Sequence, residues 1–190
     1  MAGRWMNLGQ YGAEGIPGWV ALAAGIERMV TGIESPVDSE RGLAARLRYL
    51  TASEAGYAAM DRAGIHVSAR TLMAWLAEER TPNPANLTRI DTAYWDLRRH
   101  NVAADLKRRL NSRGGTRIEI NPVDQTRVAR PHWRDLSTRT INVRGVWDAA
   151  VDAWLTHDEH TLDTIWDDII TALGSDYDAY SNVSSIGWAA

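Results

Sequence analysis

Residues 157–160 read His-Asp-Glu-His, and two imidazoles three positions apart can hold a transition metal. Just downstream, Asp163 and Asp167 lie one helical turn apart with Asp168 beside them, a spacing compatible with Mg²⁺. The His pair has no obvious third ligand. It sits in a capped polar loop between two helical segments. The three aspartates lie opposite Ile165, Ile169 and Ile170, on what reads as a solvated helix face. Residues 177–185 offer tyrosine and serine hydroxyls without a base nearby. The chain has no cysteine, which excludes thiol catalysis, thiolate zinc sites and disulfides. It also lacks G-x-S-x-G, G-x-G-x-x-G and Gly-Lys-Ser/Thr phosphate loops. The expectation is a protein without enzymatic activity, with no metal and no cofactor.

A different chemistry is concentrated in residues 60–97. Gly64 marks a turn, and Ser68 stands as an N-cap before a short helix whose first turn holds Arg70 and Thr71. Leu72, Trp75 and Leu76 form the opposite, inward stripe. The turn Arg80-Thr81-Pro82-Asn83-Pro84 follows, then Asn86, Leu87, Arg89 and Ile90 at the start of a long helix. Short or forked donors at an exposed helix start can reach base edges in the major groove of duplex DNA. Arg80, Asn83, Asn86 and Arg89, beside a helix N-terminus, suit phosphate.

This pattern resembles the phage-repressor-type helix-turn-helix family over residues 53–97. The carriers are the capping Ser68, Arg70 and Thr71 behind it, the anchoring aromatic Trp75, the Thr81-Pro82 turn and the Leu87/Ile90 pair. Where that family often offers Gln or Arg to phosphate, this chain has Ser53-Glu54. The resemblance implies DNA contact through Ser68, Arg70 and Thr71; a helix pair used only for packing is the alternative. A weaker resemblance, in size, arginine-rich composition and an N-terminal helix-turn-helix, is to actinobacterial proteins that cap linear replicons. It implies a plasmid, phage or integrative element as context.

Further basic residues follow. Arg98, Arg99, Lys107, Arg108, Arg109 and Arg113 fall within residues 98–113, which carry Asp105 as their one acid. They read as phosphate contacts, or as a solvated helix end whose cations favour the C-terminal dipole.

The surrounding elements read as follows. Trp19, Leu22, Ala23, Ile26, Val30 and Ile33 fall at helical spacing, so residues 18–33 are expected to form one amphipathic helix. The uncharged stretch 15–26 is too short to cross a bilayer. Helical stripes follow at Leu43, Leu47 and Leu50, then at Ala55, Ala58, Ala59 and Met60. Leu87, Ile90, Ala93, Tyr94 and Leu97 then lie on a long helix with a bend expected near His100-Asn101. After Gly114-Gly115 the period changes to two. Strands are expected at 116–120 and 137–144, helices around Trp147–Trp154 and 162–173, and a last strand at 182–188.

The fold class expected is α+β, mostly helical: a helix-turn-helix bundle, then a small α+β module with two amphipathic helices. The segments are 1–37 (helix and linker), 38–112 (DNA-binding) and 113–190 (self-association). Of the 190 residues, 1–115 carry net charge +3 and 116–190 carry −6, which suggests modules with different partners. Of the nine tryptophans, five lie in the acidic segment, where some would serve an interface. The function expected is a cytoplasmic, sequence-specific DNA-binding regulator of a mobile element. Its partners would be duplex DNA and itself, not a membrane. The alternative is an assembly protein for capping, packaging or shell formation.

Overall fold

The computed structural model describes residues 8–189. The chain is α+β and mostly helical. Among the described residues there are seven α-helices and one four-stranded antiparallel sheet. No helix there is long and apolar enough to cross a membrane. Two compact units are present: Val30–Val102, and residues up to Met29 together with those from Ala103 onward. The first and last positions of the expected outer segments fall outside the described residues.

In the unit Val30–Val102, each helix starts where a side chain can satisfy its free N–H groups. Ser39 caps α2 (Glu40–Thr51), its Oγ accepting from the Gly42 N–H at 3.1 Å. Ser53 caps α3 (Glu54–Arg62) and Ser68 caps α4 (Ala69–Leu76). Pro84 opens α5 (Pro84–Asn111), where its missing N–H costs nothing, and Asn83 Oδ1 accepts from the Asn86 N–H at 2.8 Å. The helix α5 continues through His100-Asn101 without interruption.

The core of this unit joins Leu47, Leu50, Ala59, Met60, Ile65, Trp75, Ile90, Ala93, Tyr94 and Leu97. One expected stripe is displaced: Ala55 and Ala58 are exposed, and α3 buries Gly56 instead. A Cβ at Gly56 would fall 1.8 Å from the Leu50 carbonyl oxygen, so only glycine allows α3 to come this close to the end of α2.

The arginine at position 46 is buried, 4 % exposed. Its Nε donates to Asp91 Oδ1 at 2.7 Å. Its Nη1 donates to the carbonyls of Ser35 (2.7 Å) and Gly42 (3.1 Å), and its Nη2 to that of Ile33 (3.4 Å). The guanidinium also lies 5.2 Å from the Tyr94 ring centroid. One side chain thus ties residues 33–35 to α2 and α5. A buried cation is tolerable only when its donors are matched this fully.

The other unit is built on the sheet. Its strands are β1 (Ile16–Pro17), β2 (Thr116–Pro122), β3 (Arg139–Val143) and β4 (Asn182–Trp188), in the order β1-β4-β2-β3. The C-terminal strand therefore lies inside the sheet, with Ile120 opposite Ile186, and Ile118 pairs with Ile141. Ile118, Ile120, Val143, Val183 and Ile186 are buried, while Arg117, Glu119, Thr140 and Asn142 are exposed, as alternation on a one-sided sheet requires. Helices α1 (Gly18–Arg28), α6 (Trp147–Thr156) and α7 (Glu159–Thr171) complete this unit. The two fully buried tryptophans have their N–H groups satisfied: Trp147 Nε1 donates to the Val143 carbonyl and Trp166 Nε1 to that of Tyr180, each at 3.0 Å, whereas the buried Nε1 of Trp188 has no partner among the described residues.

The first helix is shorter than its hydrophobic spacing predicts. It ends at Arg28, and Ile33 joins the other core, its N–H donating to the Tyr94 hydroxyl at 2.8 Å. Gly32 allows this departure, since a Cβ there would fall 2.3 Å from the Trp95 ring. The apolar stripe 18–33 was thus two stripes serving two cores.

Replacing Arg46 with Leu leaves three carbonyls and the Asp91 carboxylate without their donor. Because the Asp91 side chain is 36 % exposed, the expected loss is discounted to about 2–3 kcal/mol, below the range for fully buried pairs. Urea unfolding checks this; a loss under about 1 kcal/mol would contradict the role given to Arg46.

Candidate nucleic-acid interface

The helix α4 has eight residues and buries one of them, Trp75, at 4 % exposure. Leu72 and Leu76 flank it half-buried. With that face on the core, the opposite face is open: Ser68, Ala69 and Arg70 are exposed, and Met73 is 63 % exposed. Ser68 Oγ accepts from the Thr71 N–H at 3.1 Å and shares a hydrogen bond with Thr71 Oγ1 at 3.0 Å. Among the described residues the guanidinium groups of Arg70 and Arg80 have no hydrogen-bond or ion-pair partner, so both forks are free.

Both neighbouring helix ends are closed by left-handed residues. At the end of α3, Gly64 (φ +78°) lets its own N–H reach the Asp61 carbonyl and the Ile65 N–H reach that of Met60. At the end of α4 the same double closure, Glu78 N–H to the Trp75 carbonyl and Glu79 N–H to that of Ala74, is made with Glu78 at φ 62°. A side chain at such a φ is strained where glycine is not.

The turn after α4 comes back beside its start. Thr71, Arg80, Asn83 and Asn86, with Trp75 and Pro82, line a groove of ≈ 310 Å³. Arg89, exposed on α5, donates from Nη1 to Asn86 Oδ1 at 3.2 Å. The residues expected to contact DNA in this region, at 68–71 and 80–89, are therefore neighbours in one compact unit. The spacing in sequence missed two exposed residues: Met73 on α4 and Tyr57 on α3. Met73 was legible as the position between the inward Leu72 and Trp75 on a helix.

The remaining cations are placed differently. Arg98 Nε donates to the Thr31 carbonyl at 2.8 Å, and Arg99 lies 5.9 Å from the Trp95 ring centroid. Lys107, Arg108 and Arg109 belong to the other unit. Lys107 pairs with Asp152 at 2.7 Å; Arg108 and Arg109 both pair with Asp105, the latter at 3.1 Å. Counting charge along residues 98–113 misses Asp152, which α6 supplies from 45 residues away.

The metal-like groups also have local roles. His157 takes the left-handed conformation that ends α6, and Asp158 caps α7. Hydrogen bonds from the Thr161 hydroxyl and N–H hold the Asp158 carboxyl below its ordinary pKa. The Asp167 carboxyl is raised by burial first, then by Asp163 and Asp168. Among the described residues no three His, Asp or Glu side chains are grouped to hold a metal ion.

No family model matches the chain, and neither does any curated protein or solved structure.

Glu78→Gly relieves the left-handed strain and raises stability by about 0.5–1 kcal/mol, read as an increased urea midpoint; an unchanged or lower midpoint refutes the strain. At pH 7 Asp167→Asn raises Tm, because the native state disfavours the ionised carboxyl. That gain shrinks as pH falls through the carboxylate range and the wild-type side chain protonates. A gain independent of pH would contradict a cost of ionising this carboxyl in the native state.

Proposed function

We propose that this chain is a sequence-specific duplex-DNA-binding protein of the regulator class. In this reading α3 and α4 act as a helix-turn-helix, and α4 enters the major groove. The observation that carries it is the open start of α4. Ser68 and the unpaired Arg70 are exposed there while Trp75 fixes the opposite face. The groove to which Thr71, Arg80, Asn83 and Asn86 contribute polar groups supports it, since such donors beside a helix start suit a phosphate strand. Arg89 lies next to this groove; Arg98, Lys107, Arg108 and Arg109 are bonded within their own chain and have a lesser part.

Self-association through the C-terminal half belongs to the same reading, because operator half-sites repeat with the DNA turn. Two features support it. Trp133 is 57 % exposed while its Nε1 donates to the Gln125 carbonyl at 3.2 Å, which holds the ring in place on the surface. The strand β3 pairs on one side only, with β2, and contains no proline to guard its free edge.

Anisotropy of labelled random and selected duplexes, titrated with the full chain at two salt concentrations, tests the proposal. Binding should weaken steeply with salt. The Arg70→Ala/Thr71→Ala double variant should lose about tenfold or more in affinity while keeping its far-UV circular dichroism. Equal affinity for the double variant would overturn the assignment of α4. Large DNA-free particles in light scattering, with no duplex binding, would favour an assembly role instead.

A further inference from the structure

We infer that Met73 and Arg70 together set the sequence preference: Met73 contacts a thymine methyl group one or two base pairs from a guanine held by Arg70. This rests on the duplex-DNA reading above and adds the base chemistry to it.

Met73 has the largest fractional exposure of the large apolar side chains described, 63 %, although it lies on a helix packed through Trp75. A lone exposed methionine is ordinary on a protein surface; what singles Met73 out is its position relative to Arg70: residues i and i+3 share a helix face, so Arg70 and Met73 project from the same open side of α4. Three residues advance the helix about 4.5 Å, against about 3.4 Å for one base-pair step, so a helix lying along the groove would bring the two side chains to neighbouring base pairs.

Their chemistry then divides the labour. The free guanidinium of Arg70 presents two parallel donors, which match the O6 and N7 acceptors of guanine. Met73 has no donor to offer. The apolar group exposed in the major groove is the thymine C5-methyl, and an unbranched, polarisable side chain adapts to it. Ala69, exposed next to Arg70, carries a single methyl group and reaches less far than Met73.

Selection of bound duplexes from a random pool by the full chain, followed by replacement of single thymines with deoxyuridine, tests this. The selected site should hold a guanine with a thymine one or two pairs away. Deoxyuridine at that thymine should weaken wild-type binding by roughly three- to tenfold and leave Met73→Ala nearly unaffected. Arg70→Ala should lose discrimination at the guanine and keep the deoxyuridine response. A selected site whose thymines are all replaceable without effect, or an effect that persists in Met73→Ala, overturns this inference and leaves the DNA reading intact. Failure to enrich any sequence overturns the DNA reading itself, and this inference with it.

Discussion

The burial of one indole holds the candidate interface together. Eight residues are too few for a helix to persist alone in water, and Trp75 is the one residue of α4 that is fully inside. Burying a side chain of that size contributes on the order of 2–3 kcal/mol or more, enough to fix a helix of two turns. Once Trp75 points inward, the helical period decides the rest. Arg70 and Met73 must point outward, and Ser68 must stand at the exposed end. The left-handed residues Gly64 and Glu78 then fix where the chain enters and leaves.

That anchor needs a rigid surface to sit on. The core around Trp75 is made by α2, α3 and α5, and Arg46 binds the incoming chain at Ile33 and Ser35 to two of them. A buried arginine is a costly way to join three segments, but it leaves few alternatives for their arrangement. Its donors fit four acceptors on three segments, and a shift of any one would leave a polar group unpaired. The other unit reaches order by different means, a one-sided sheet covered by helices, with Trp147 and Trp166 buried and their N–H groups bonded to backbone carbonyls.

Much of this was legible in the sequence, for identifiable reasons. The cap Ser68 marks a helix start because a hydroxyl there satisfies a backbone donor. The alternation in residues 116–120 and 139–143 marks strands with one wet face. What stayed hidden depends on partners distant in sequence. Ile33 follows the stripe of α1 but packs with Tyr94, and nothing local distinguishes the two. Arg46 reads as one more surface arginine until the carbonyls of Ile33 and Ser35 meet it. Lys107 reads as a free cation until Asp152 arrives from α6. Within the candidate interface, the residue types and the cap were readable. The openness of Met73 follows from the Trp75 face, and the closeness of Arg80 and Asn83 to Thr71 required the path of the turn.

The central claim is that the open side of α4 meets a double helix. Titrating the ¹⁵N-labelled full chain with duplex DNA and following its amide resonances tests that claim residue by residue. Shifts should concentrate at residues 68–73 and 80–89, with the sheet residues 116–122 and 182–188 unmoved. Resonances of residues 68–73 that stay fixed while the chain is saturated with DNA would contradict it.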